Sequence, residues 1–265
     1  PNFYYLSGLR EPHAVLLIFK ETQKFGNGIE TDELLFLQKR DAGDEVWTGK
    51  RQGTEGATKL LGINTALTGE EFSSFESEFE SFDKILITEL PEDVKNLDQK
   101  DDLYNLINSF KLKTEKTAAK IDNQDLKYMM SQLRQIKSEE EIVLLKKAID
   151  MTCDAQIELM KALKPGMTEY QSEAIVEYVF KKNGAEYPGF PSILGGGENS
   201  CILHYTSNRK PLKGNDLLVS DIGAEYHGYT ADVTRTLPTD GVFSEKKKLF
   251  TKLFKKPKQL ELQQV

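Results

Sequence analysis

Asp221 and Asp232 fall within one short stretch, VSDIGAEYHGYTADVTRT at 219–236, whose spacing sets two carboxylates against each other. Segments 217–223 and 229–237 read as strands, and Tyr226-His227-Gly228 between them carries turn chemistry, with a glycine able to take positive φ. A hairpin loop with an even number of residues puts 221 and 232 on one face, directly opposite or one diagonal apart, because side chains alternate with period two. Like charges so placed repel unless a cation lies between them, and hard divalent ions take carboxylate oxygens readily. Two carboxylates alone leave a second reading open, in which both are solvated hairpin residues.

Other side chains are weighed in the same way. Thr234 shares a strand face with Asp232 and is expected to partner that carboxylate. Tyr229 reads first as a packing residue and His227 as part of the turn. His204, alone before Tyr205, would by itself be structural. Gly195-Gly196-Gly197 has no following Gly-Lys-Ser/Thr, so close backbone approach beside a peptide is expected of it rather than phosphate binding. Trp47, the only tryptophan, would by default pack in a core or at a strand end. Cys153 and Cys201 belong to no CxxC or Cys/His cluster, and two reduced thiols in a cytoplasmic protein is the expectation.

The elements that must position these residues follow from pattern. Over 1–120, apolar strands at 14–19, 34–37 and 84–88 alternate with helical patterns at 56–61 and 103–110, an α/β layer. The Lys- and Thr-rich segment 113–124 reads as a linker and sets a domain boundary at 120/121. Ser138 with Glu141 makes a capping box, and Ile142, Leu145, Ile149, Ile157 and Met160 follow at helical spacing until Pro165-Gly166 stops the helix. A second helix starts after Thr168, with Gln171 as its capping partner, and ends near Asn183-Gly184. Helices followed by a hairpin fit an α+β second half. With 265 residues there is room for two cores, no apolar run approaches the roughly 18 residues of a membrane helix, and no internal repeat occurs. A net charge of −7 argues against general affinity for nucleic acid or anionic membrane.

The stretch from Asp221 to Thr236 resembles the metal-ligand hairpin of the Xaa-Pro aminopeptidases (aminopeptidase P) and prolidases, members of the pita-bread metallopeptidase family. PNFYYLSGLREPHAVLLIF (1–19) is similar to part of that family's N-terminal domain. EVWTGKRQG (45–53) resembles its Trp-containing loop, LRQIKS (133–138) the opening of its catalytic domain, and GGGENSCILHY (195–205) its substrate-side histidine loop. Five matches in order imply an α/β aminopeptidase-P-like N-terminal domain at 1–120 and an incomplete α+β pita-bread catalytic domain at 121–265.

The resemblance implies two divalent ions, manganese first with cobalt or zinc as substitutes, held by two Asp, one His and two Glu. Asp221 would bind one ion bidentately and Asp232 would bridge both. His204 would hydrogen-bond near the reacting carbonyl, and Thr234 would support a ligand. Tyr229 is carried as a substrate-side candidate, and Trp47 would be presented to a neighbouring subunit's site, implying a homo-oligomer acting on proline-containing peptides. A prolidase is the close alternative, and Trp47 favours the aminopeptidase. A metal-free amidinohydrolase relative would not keep the paired Asp, and a non-catalytic binding module is the remaining rival.

Measured against the family, the chain is expected to lack its first elements and to end before the remaining His and both Glu ligands, which predicts an inactive polypeptide. Its tail, 246–265, suits neither the family helix nor a clear amphipathic one. A one-base shift within the lysine codons at 246–248 would allow a string similar to the family's next helix, so a frameshifted tail is the expectation there.

Overall fold

The run Leu34-Leu35-Phe36-Leu37 is fully buried, which only an interior strand covered on both faces allows. A computed structural model describes residues 2–26, 28–76, 79–245 and 247–248, and the chain divides into two units, Pro1–Ile136 and Lys137–Val265. Apart from 247–248, the tail expected to be out of frame lies outside the described residues.

In the first unit, α1 (Asn2–Ser7) precedes β1 (Val15–Lys24) and β2 (Glu30–Leu37), followed by α2 (Ala42–Thr48), α3 (Gly53–Leu60), β3 (Thr65–Thr68) and α4 (Gly69–Phe72). β2 is the central strand, antiparallel to β1 and parallel to β3. Its alternation divides the core: Leu34 and Phe36 pack with Phe72, Phe75 and Leu106, while Leu35 and Leu37 pack with Leu9, Ala57 and Ile63. β4 (Ile85–Leu86) pairs in parallel with β5 (Ile121–Asp122), α5 (Leu103–Thr114) lies between them in sequence, and α6 (Asp125–Gln135) follows.

Segment 113–124 is therefore not a linker. Thr114 and Thr117 are buried, and β5 is one of its strands. Lys113 donates to the carbonyls of Ser73 and Phe75, and Lys120 to those of Glu80 and Phe82. The two units meet in sequence at Ile136/Lys137 rather than at 120/121.

The second unit opens on α7 (Glu139–Ala162) and α8 (Glu169–Lys182), each started by its expected capping box, Ser138/Glu141 and Thr168/Gln171. Positive-φ glycines, Gly166 and Gly184, follow the two helices. The apolar residues that set the helical spacing of α7 are not the ones that face its core. Ile142, Ile149, Ile157 and Met160 are exposed, and Ala148, Thr152, Ala155, Gln156 and Leu159 face inward. β6 (Tyr187–Pro188), β7 (Ile193–Gly196), β8 (Leu217–Ile222), β9 (Ala224–Tyr226), β10 (Tyr229–Thr230) and β11 (Val233–Pro238) form two short antiparallel sheets, ordered β11-β8-β7 and β10-β9-β6. Leu218 and Ile222 join Ala155, Leu159, Val176 and Phe180 in the core. Asp221, alternate to Leu218, Ser220 and Ile222, points to the other face of β8.

Candidate metal centre

The hairpin closes on a two-residue turn, His227-Gly228, both at positive φ, between the paired residues Tyr226 and Tyr229. Two turn residues give the even loop that the same-face argument requires. Thr234 lies directly opposite Asp221, and counting that register onward puts Asp232 opposite Gly223, one diagonal from Asp221. That placement is close enough for the charge of Asp221 to act on Asp232. Burial first, then the charge of Asp221 and the hydrogen bond to it, push the Asp232 carboxyl above the ordinary aspartate range.

The hairpin is not two unbroken strands, as its sequence suggested. The ladder stops after Ile222/Val233 and resumes at Glu225/Thr230. At the gap the backbone approaches closely: a Cβ on Gly223 would sit 1.8 Å from the Ala231 carbonyl oxygen. Helix α7 supplies polar groups here. Thr152 Oγ1 accepts from the Ala224 N–H at 2.9 Å, and Gln156 Nε2 donates to the carbonyls of Ser220 (3.1 Å) and Val233 (2.9 Å). Thr152 and Gln156, four apart on one helix face, thus hold the break from behind while the carboxylates occupy its front.

Thr234 partners a different carboxylate from the one expected. Its Oγ1 donates to Asp221 Oδ1 at 2.6 Å, because it stands across the ladder from Asp221, whereas Asp232 is its neighbour along the same strand. The Tyr229 hydroxyl donates to Glu141 Oε1 at 2.6 Å and ties the hairpin to the start of α7. His227 places its Nδ1 2.9 Å from Glu186 Oε1 at the turn.

His204 is on a separate exposed turn after β7. Among the described residues no group of three or more His, Cys, Asp or Glu is placed to hold a metal, so the structure joins Asp221, Asp232 and Thr234 but does not add His204 to them. The glycines before it have internal reasons. A Cβ on Gly195 would meet the Asn199 carbonyl oxygen at 2.8 Å, one on Gly196 would meet Leu212 at 2.3 Å, and Gly197 takes φ 57°. Trp47 is on α2 rather than in a loop, and 89% of it is exposed, so it packs in no core of its own unit.

Sequence reasoning missed Thr152 and Gln156, and also Glu169, a fully buried acid that anchors the histidine-bearing loop. An acid directly after a Thr N-cap reads as ordinary helix-start chemistry, so nothing local marks it.

Fold and site together define a two-domain metallopeptidase chain of the pita-bread class. Residues 1–85 match the N-terminal domain of aminopeptidase P, and residues 143–256 match metallopeptidase family M24. The chain is 36% identical over 247 residues to an Xaa-Pro aminopeptidase of Haemophilus influenzae, a match covering 92% of this chain and 52% of that protein. It is 34% identical over 251 residues to the Xaa-Pro aminopeptidase of Escherichia coli K12, with 92% and 54% covered. Among solved structures it is similar to an aminopeptidase of Pseudomonas aeruginosa (TM-score 0.74, 30% identity, 93% of this chain and 54% of that one). It is also similar to a zinc-substituted E. coli aminopeptidase P in complex with product (TM-score 0.73, 32% identity, 93% and 54%). The chain belongs to the aminopeptidase P family, and it spans about half the length of the relatives it matches.

Proposed function

We propose that this chain carries part of the dinuclear metal site of an Xaa-Pro aminopeptidase, which releases the first residue of peptides with proline in second position. The observation that carries the reading is the placement of Asp221 and Asp232 one diagonal apart on the face of the hairpin turned away from the core. The donor chemistry fits a hard divalent cation: two carboxylates on one face of the hairpin, the protonated form of Asp232 favoured by desolvation and then by the charge of Asp221, and a hydroxyl that holds Asp221 in place. Asp221 and Asp232 would hold the ions, manganese or its cobalt and zinc substitutes. Bound there, a divalent ion acts as a Lewis acid toward a peptide carbonyl.

The chain's own residues then have separate tasks. Thr234 fixes the rotamer of Asp221, and a carboxylate oxygen that accepts one hydrogen bond keeps a lone pair for an ion. His204, exposed on its turn, would donate a hydrogen bond to the substrate, and Tyr229 would border the same peptide from the hairpin. Trp47 would act on a second copy of the chain. Its near-complete exposure, beside a largely exposed Val46, supports a homo-oligomer. No helix among the described residues is long and apolar enough to cross a membrane, and the free thiols Cys153 and Cys201 support a reducing, cytoplasmic setting.

Residues 1–265 alone are expected to be inactive, since the described part supplies two clustered donors and affinity grows with preorganised ligand count. Manganese titration by calorimetry should show weak, saturable binding that Asp221→Asn and Asp232→Asn each abolish, with no turnover of an Xaa-Pro peptide. Binding unchanged in both variants would remove the metal assignment. Robust manganese-dependent turnover would refute the inactivity.

A further inference from the structure

The Glu169 carboxylate lies fully buried at the first position of α8 and receives four hydrogen bonds. Oε1 accepts from the Gly196 N–H (2.8 Å) and Asn199 Nδ2 (3.0 Å), and Oε2 from the Tyr205 hydroxyl (2.8 Å) and the Lys210 N–H (2.9 Å). Every one of these partners is a donor, a demand that only an acceptor-only group meets on both of its atoms. Asn199 Nδ2 also donates to the Tyr205 oxygen at 2.9 Å, which leaves the tyrosine proton directed at Glu169. The Glu169 N–H donates in turn to the Lys210 carbonyl at 3.0 Å, so backbone and side chain grip the same segment.

Asn199 and Tyr205 are the two ends of the turn that carries His204, and both end on this one carboxylate. Between them Ile202, Leu203 and His204 project into solvent, with Leu203 84% exposed. The exposed turn therefore has no packing of its own to set its pose, and its geometry is set from below. We propose that Glu169 is a positioning residue for His204: by closing the 199–205 turn on a single buried acceptor it presents the imidazole in one orientation. The proposal rests on the substrate-side reading of His204 for its functional meaning, but the positioning itself is a statement about this chain.

The test is NMR on the 265-residue chain, following the His204 ring resonances and the amide exchange of 196–205, in wild type and Glu169→Gln. Glutamine turns one acceptor into an NH2 group facing two donors. The expected result is loss of the single sharp set of His204 ring signals and a drop of about tenfold or more in protection of the 196–205 amides, with α7 amides unchanged. If Glu169→Gln does not fold, Tyr205→Phe, which removes one donor and keeps the ring, carries the test with a smaller effect of the same pattern. Unchanged His204 signals and protection, or equal loss across all of 137–245, would overturn the positioning role. A peptide titration separates the two readings. If His204→Ala leaves the affinity for an Xaa-Pro peptide unchanged while Glu169→Gln still frees the turn, the substrate role of His204 fails and the positioning role stands.

Discussion

Glu169 and the pair Asp221/Asp232 are carboxylates of the same unit in opposite circumstances. Glu169 is fully buried and saturated by four donors, all from the segment 196–210. Asp232 is exposed as a residue although its carboxyl is partly desolvated, Asp221 is half-buried, and the two stand one diagonal apart with the Thr234 hydroxyl donating to Asp221. The difference separates structure from chemistry. A saturated acid has no capacity left for a ligand and serves the fold, whereas two under-satisfied acids on one face favour whatever brings positive charge between them, a proton or a metal ion.

The sharpest way to break this comparison is by deletion. Glu169→Ala leaves the buried Gly196 N–H and the half-buried Lys210 N–H without an acceptor and is expected to cost about 3 kcal/mol, given roughly 1–3 kcal/mol for each unsatisfied buried donor. Asp221→Ala should stay within about 0.5 kcal/mol of wild type, because it removes a repulsion together with one exposed hydrogen bond. Urea denaturation of both variants decides it. Equal costs would mean that the hairpin acids are structural too.

A smaller effect sharpens the contrast through pH. The folded protein holds the Asp232 carboxyl above the ordinary aspartate value of 3.8, with burial the largest cause and Asp221 the next. The folded state thus binds more protons than the unfolded state as pH rises through this range, so stability falls with rising pH. The contribution is fully present below the ordinary value and is lost above the raised one. Asp232→Asn should flatten the stability–pH profile in the range that begins near the ordinary aspartate value and extends above it. A profile with the same slope in the variant would place the repulsion elsewhere.

How much of this was legible in the sequence depends on the range of the interactions. The two capping boxes, the end of α7 before Pro165-Gly166 and the face shared by Asp221 and Asp232 are local, set by spacings of a few residues. The partners of Glu169 lie 27 to 41 residues away, and the Thr152 hydroxyl that meets the hairpin break is 72 residues from Ala224. No periodicity reports such contacts. The buried face of α7 was not legible for a related reason: Thr152 and Gln156 are polar and buried because the broken ladder takes their hydrogen bonds, and they share that face with Ala148, Met151, Ala155 and Leu159. Lysines misled at 113–124, where composition suggests solvent and Lys113 and Lys120 instead donate to backbone carbonyls.

The smallest expected effect concerns Thr234, which separates holding a carboxylate from merely neighbouring one. Thr234→Val keeps the β-branched shape that suits a strand and deletes only the donor to Asp221. On an exposed strand the loss should be about 0.5 kcal/mol, the low end for an ordinary hydrogen bond, because solvent screens the charge of the acceptor. The metal readout should move further than the stability. Without the hydroxyl, the Asp221 rotamer is free, and ordering it must be done by the ion at binding. Manganese affinity should therefore fall severalfold in Thr234→Val and recover in Thr234→Ser, which restores the donor with less bulk. If valine and serine weaken binding alike, the strand shape rather than the hydroxyl matters, and Asp221 is oriented by the backbone of β8 alone.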